Sequence, residues 1–317
     1  MIKPIFLFAV CIFLTIRVSA NDVAVVSVVV PFSAGSAQDA FARLISEPLG
    51  RELGSQVVIV NKPGAGGTLG AAYVHNAKPD GKTYLMAGTS LHLAGALYPG
   101  LPYHPLESFR GAAFLGNSEF VLITAESMNT PTLASFVARV RADPKKFDYG
   151  SAGNGSVTHV GLANFLQHAN LQMTHIPLKG TGEVIHEILA GRVQAAMVSS
   201  FSIYGHRSDA RIKLLAVTGK QRSDYFPNLP TLSELGYTKF SWAAWIGLLA
   251  PAHTPTDKIS AMNQAVARVL ADPVMKAQFY QLGIGPKALP NHEFETVLKN
   301  SWVESAALIS KIKPSRD

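Results

Sequence analysis

Long apolar runs and cysteine are both scarce in this chain of 317 residues. No segment reaches the roughly 20 apolar residues that a membrane span needs, and the single cysteine, Cys11, lies near the start. That scarcity argues against a disulfide framework and thiol chemistry in the body of the protein. Acidic residues are outnumbered, with 21 Asp and Glu against 28 Lys and Arg. The cations are scattered along the chain, as at Arg51, Lys62, Lys78, Lys82, Arg139 and Arg141, so no stripe suits a nucleic-acid backbone and no nucleic-acid partner is expected. A mild positive balance of +7 favours small anionic ligands by long-range attraction.

The motifs of several enzyme classes are also missing. There is no G-x-S-x-G elbow. "GAGGTLG" at Gly64 has Leu69 where a dinucleotide fingerprint needs its third glycine. His186-Glu187 is followed by no second histidine at the metalloprotease spacing, and the ten histidines form no metal-spaced set with cysteine. A Ser156, His159, Asp148 triad is conceivable only on paper, because residues of one loop rarely reach triad geometry. No catalytic residue, metal or cofactor is expected.

What is present begins with "MIKPIFLFAVCIFLTIRVSA": Lys3, a short apolar run from Pro4 to Ile16, Arg17, then Val18 and Ala20 at the −3 and −1 positions of a cut before Asn21. This reads as an export signal over residues 1–20, which removes Cys11 and leaves a chain long enough for two domains that need no staples.

From there the pattern alternates strand, small-residue loop and amphipathic helix. It runs Val25–Pro31, Gln38–Leu53, Gln56–Val60, Thr68–Ala77 and Thr83–Ala87, ending in Gly88-Thr89-Ser90. It restarts with a strand at Phe120–Thr124, a helix at Thr132–Ala142, a strand in "FDYGS", a helix at Thr158–Gln167, a strand in "MTHIPL", a helix at Gly182–Ala190 and a strand in "VQAAMV". "FSWAAWIGLLAPA" is a further strand, and helices follow over Pro255–Leu270, Pro273–Leu282 and His292–Ile312. Such alternation predicts an α/β fold with mostly parallel sheets. Two sets with a return segment predict two lobes: residues 21–118 plus 241–317, and residues 119–240, joined by two crossing strands near Phe114–Val121 and Phe240–Leu248.

One local device occurs in each predicted lobe. "SAGSAQDAFARLI" at Ser33 and "SAGNGSVTHVGLANFL" at Ser151 are both Ser-Ala-Gly turns opening a helix. Ligands of open α/β sheets bind at strand carboxyl ends, where helix N–H groups suit an anion, so two such turns would form facing jaws. Ser36 or Asp39 would also serve as an ordinary helix cap, and Asp39 is spaced to pair with Arg43 on one helix face. In the second turn, Ser151, Asn154, Ser156, Thr158 and His159 surround Gly150, Gly153 and Gly155, although a lone histidine at a helix start is commonly a packing residue. "HIPLKGTGE" adds Lys179 and Gly180, with Lys179 either at the cleft mouth or simply solvated.

At this point the residues resemble a known family, the periplasmic solute receptors of tripartite tricarboxylate transporters, or Bug-type binding proteins. The resemblance rests on eight blocks in one order, among them "VVPFSAG", "VVIVNKPGAGGTLGA", "KPDGKTYLMAGTS", "FDYGSAGNGSVTH" and "WIGLLAPAHTP". It implies a two-lobed periplasmic binding protein of type II (Venus flytrap), closing on a small carboxylate held by backbone amides and loop hydroxyls. Carried across, the ligand-binding set is Phe32, Ser36, Ala37, Gln38, Thr89, Ser90, Gly153, Asn154, Gly155, Ser156, Thr158, His159, Lys179 and Gly180, with Ser199 and Ser200 where relatives commonly carry Asp. Gln38, Asn164 and Gln194 also depart from the family pattern. An acid lost near the cleft would disfavour an amine-bearing ligand.

The expected function is therefore an exported, monomeric receptor that captures a small organic acid and delivers it to the membrane permease subunits of a tripartite tricarboxylate-type transporter. A sensor presenting its closed form to a membrane kinase would use the same fold and pocket. An enzyme on this fold would have to turn its ligand over.

Overall fold

The computed structural model describes residues 24–144 and 146–313, so the expected export signal over residues 1–20, with Cys11, lies outside the described residues. Strand β1 (Val25–Val30) leads to helix α1 (Ala37–Leu53), β2 (Gln56–Asn61), α2 (Thr68–His75), β3 (Thr83–Gly88) and α3 (Thr89–Leu97). β1 pairs in parallel with both β2 and β3, as right-handed β-α-β crossovers require. Val28, Val29 and Val30 of β1 are fully buried between two helical layers.

The long strand β4 (Phe109–Ala125) belongs to both sheets. Its first part pairs antiparallel with β9 (Ala243–Pro251), which in turn pairs with β3, and its middle pairs with β10 (Ile284–Pro286). Its last part, from Phe120 to Ala125, lies between β7 (Ala195–Ser199) and β8 (Ile212–Val217). β7 continues in parallel to β5 (Asp148–Ser151) and then β6 (Thr174–Pro177). The expected parallel order therefore holds within β2-β1-β3 and β7-β5-β6, while every pairing of β4 and β9 is antiparallel.

Helices cover both faces of each sheet. On the first sheet, α1 and α8 (Thr256–Ala271) bury Phe41, Ile45 and Met262 with Val28, joined by Phe279 of α9 (Pro273–Gln281). Its other face holds Leu85, Phe114, Trp245 and, from α10 (Asn291–Ile312), Phe294 and Leu298. On the second sheet, α4 (Leu133–Ala142) and α5 (Val157–His168) bury Phe136 and Phe165, and α6 (Thr181–Leu189) and the short α7 (Ser200–Tyr204) bury Val184, Ile188 and Ile203.

Two helices join the lobes. Leu93 and Leu97 of α3 and Ile309 of α10 pack into the second lobe's core with Leu162 and Trp242. At 1.5 Å per residue a helix of the length of α10 runs about 33 Å, and its end, at Ile309, reaches the second lobe's core. The second crossing is the segment before β9. Fully buried Thr218 fastens both crossings: its Oγ1 donates to Trp242 O (2.6 Å) and accepts from Phe120 N (3.1 Å).

Candidate functional site

A cleft of about 750 Å³ lies between the lobes, and the starts of α1, α3, α5 and α6 all line it. Each helix start carries N–H groups without intrahelical partners and the positive end of the helix dipole. Two of the four are closed by serine caps: Ser36 Oγ accepts from Asp39 N (3.3 Å) and Ser156 Oγ from His159 N (3.2 Å). The other two, α3 after Gly88 and α6 after Gly180, have no side-chain cap. Among the described residues, Lys179 is the single charged one that lines the cleft, and no carboxylate among them does.

The first-lobe wall is the loop from Phe32 to Gln38, fixed from behind by Asp39. The Asp39 carboxylate accepts from Gly35 N (2.9 Å), Arg43 Nε (2.9 Å) and Asn61 Nδ2 (2.9 Å), and the same Asn61 amide donates to Phe32 O (3.1 Å). The Arg43 hydrogen bond is the largest cause that lowers the Asp39 pKa from 3.8 to about 2. Asp39 is thus the helix-face partner of Arg43 and also an anchor of the cleft loop.

The second-lobe wall repeats this construction with a different acceptor. Gly155 N donates to His159 Nδ1 (3.0 Å), as Gly35 N donates to Asp39. In each turn, the side chain three residues after the serine cap ties back the glycine just before that cap. Thr158 Oγ1 accepts from Ala152 N (2.9 Å) and lies 3.0 Å from Ser156 Oγ. Fully buried Ser151 Oγ donates to Gly153 O (3.1 Å), accepts from Gly153 N (3.2 Å) and meets His175 Nε2 at 2.7 Å. Gly155 has φ +70°, and a Cβ there would stand 2.4 Å from Leu97 Cδ2 of α3, so the loop tip sits directly on the other wall.

Of the residues expected from sequence, Phe32, Ser36, Ala37, Gln38, Thr89, Ser90, Asn154, Gly155, Ser156, Thr158, Lys179 and Gly180 line this cleft. Four others do not. Gly153 is turned inward with both backbone groups on Ser151. His159 is buried on the far side of its loop, stacked on His175 with centroids 3.7 Å apart and an interplanar angle of 5°. Ser199 caps α7 through Ser202 N (3.3 Å), and Ser200 is fully buried beneath Phe201 and Ser202, which do line the cleft.

Two positions expected to adjust the cleft's charge are also elsewhere. Gln194 joins Asp148 N to Gly191 O at 2.9 and 3.1 Å, and Asn164 lies along α5 outside the lining. Sequence reasoning overlooked Gly88, Tyr98, Phe201, Ala244 and Trp245. Gly88 is adjacent to the recognised Thr89 and leaves room for Trp245 O, 2.8 Å from where a Cβ would sit. Thr89 Oγ1 accepts from Trp245 N (3.0 Å), which fixes the cleft floor to β9. Phe201 directly follows the recognised Ser200 and Tyr98 caps the far end of α3, while Trp245 arrives from distant β9.

Comparison with known proteins gives one consistent result. Residues 41–313 match the model of the tripartite tricarboxylate transporter family receptor. A UPF0065 protein of Agrobacterium vitis is 33% identical over 264 residues, 83% of this chain and 76% of its own length. Protein BugT of Bordetella pertussis is 29% identical over 263 residues, 82% of this chain and 81% of its own. Among solved structures, the periplasmic binding protein BugD is 28% identical with a TM-score of 0.78, covering 91% of this chain and 97% of its own. MatC of Rhodopseudomonas palustris with bound malate is 27% identical with a TM-score of 0.78, covering 91% and 99%. The architecture is that of a two-lobed periplasmic binding protein, and the chain belongs to the receptor family of tripartite tricarboxylate transporters.

Proposed function

We propose that this protein is a periplasmic receptor that captures a small organic acid between its lobes and presents the closed form to the permease subunits of a tripartite tricarboxylate-type transporter. The observation that carries the reading is the cleft itself: four helix starts from two lobes meet around a space that no carboxylate of the described residues lines. N–H groups and hydroxyls fixed in that arrangement stabilise a carboxylate without a buried counter-charge. The malate held by the related MatC supports the ligand class. Residues 1–20 act as the export signal on this reading. The lobes comprise residues 21–118 plus 241–317 and residues 119–240, and closure is a population shift between open and closed arrangements.

Recognition without turnover is the chemistry this cleft supports. The histidine nearest Ser156 has its Nδ1 engaged by Gly155 N, and Ser156 Oγ is taken up by His159 N and Thr158. The test is a thermal-unfolding screen of residues 21–317 against malate, citrate, benzoate and amino acids, with recovered ligand read by NMR. At a hundredfold excess over Kd, native-state binding contributes about 2.7 kcal/mol, which raises Tm by roughly 4 °C for a chain of this size. A shift with unchanged ligand is the expected result. No shift with any acid, or a converted ligand, refutes the receptor reading.

A further inference from the structure

His159 and His175 were singled out by position or by packing, yet neither ring enters the cleft. They form a parallel pair, 3.7 Å between centroids, with Tyr149 beside them at 5.0 Å from His175 and 6.2 Å from His159. Each ring holds a different part of the same loop: His159 Nδ1 takes the Gly155 amide, and His175 Nε2 meets Ser151 Oγ, which binds both backbone groups of Gly153. Gly153 and Gly155 both have positive φ, at +112° and +70°, so the tip's conformation depends on these ties rather than on neighbouring helix or strand. We infer that His159 and His175 are positioning residues which hold the second-lobe wall of the cleft in its ligand-binding shape, and that the His159 tie holds only while its ring is neutral.

The chemistry of the contact requires neutrality. Nδ1 of His159 accepts from Gly155 N, so protonating it sets two donors against each other and breaks the tie. A second charge 3.7 Å away on the stacked ring would add repulsion. Among the described residues, the titratable groups facing the pair from neighbouring elements are Tyr149 on β5 and Lys313 at the end of α10, and no carboxylate among them lines the hollow beside the rings. Burial, followed for His159 by the neighbouring His175, lowers their pKa values to about 3 and about 4. Neutral rings are thus the resting state throughout the range in which an ordinary histidine charges, and the His159 tie fails as pH falls through about 3.

The ligand half of this inference rests on the receptor reading, while the loop half does not. The experiment is long-range 1H–15N NMR of the imidazoles together with the Gly155 amide, from pH 8 downward, with malate as the affinity probe. At pH 5 both rings are expected to be neutral, His159 as the Nε2–H tautomer, with the Gly155 amide moving only when His159 finally titrates. His175→Ala uncovers the stack and moves the His159 titration up by about one pH unit or more. His159→Gln keeps an acceptor that cannot charge, so its malate affinity loses the acid limb of the wild type beyond the part due to malate's own titration. Rings titrating near the ordinary value, a Gly155 amide that ignores His159, or an unchanged acid limb in His159→Gln would each overturn the proposal. Absence of malate binding at every pH counts against malate as the ligand, while the ring and amide titrations still decide whether the pair holds the loop.

Discussion

Replacing Asp39 with Asn tests whether the first-lobe wall is held as the geometry requires. Every group around the carboxylate is a donor: Gly35 N, Arg43 Nε and Asn61 Nδ2. An amide must turn its NH2 toward one of them, leaving a donor unsatisfied and removing the charge that Arg43 pairs with. The native pKa of about 2 against the ordinary value of 3.8 corresponds to roughly 2.4 kcal/mol before screening. Arg43 is 55% exposed while the Asp39 side chain is only 4% exposed, so solvent weakens the pair and about 1–2 kcal/mol remains. The folded-state pKa is depressed, so this stability is present above pH about 5 and is lost progressively as pH falls through 3.8 toward about 2. Urea midpoints at pH 7 should therefore be lower in Asp39→Asn by that amount, with a narrowing gap at pH 3. Malate affinity should fall in parallel because Gly35 and Phe32 lose their anchor. Equal stability at pH 7, or a gap that does not change with pH, would refute the argument.

Two further substitutions separate other contributions. Gly155→Ala combines positive φ with a collision against Leu97, whereas Gly35→Ala, at φ +82° with nothing within 4 Å, carries the backbone cost alone. Gly155→Ala should cost about 1–3 kcal/mol more in urea unfolding than Gly35→Ala, and equal costs would mean that the loop tip does not rest on α3. Thr218→Val removes the hydroxyl that joins Phe120 N to Trp242 O at the lobe crossings. It should cost about 1–3 kcal/mol and quicken hydrogen exchange at the Phe120 amide, and an unchanged amide would show that the crossings are fastened by other contacts.

Most of the α/β elements were legible because they carry local punctuation. Ser36 and Ser156 cap α1 and α5, and Gly54 closes α1 in the left-handed conformation at φ +59°. Elements buried on every side lack such a signal. The helix α3, in "TSLHLAGAL", has Leu91, His92, Leu93, Ala94 and Leu97 all buried, so no polar face betrays its period. The first half of β4 reads "FRGAAFLG" because small residues there admit helix side chains: a Cβ on Gly111 would stand 2.8 Å from Phe294. β10 has only three residues and β8 borders a register shift, so neither shows a sustained alternation.

The direction in which His159 points was harder to read than its position, although the sequence did contain a clue. Asp39 and His159 stand at the same place in the two Ser-Ala-Gly turns, three residues after the capping serines. If Asp39 is assigned to support its loop, the repeated turn assigns His159 the same task, and the structure places both side chains on the glycine before the cap. A resemblance to a family transfers a loop to the cleft but leaves the facing of each side chain open, because neighbouring residues on one helix turn look in different directions. Where two lobes solve the same anchoring problem, the better-explained copy predicts the other. Here the copies differ only in the acceptor: a carboxylate that charges above about pH 2 and an imidazole that must remain uncharged. Each acceptor keeps a lone pair on a glycine N–H across the neutral range, so the cleft's two walls retain their shape through opposite charge states.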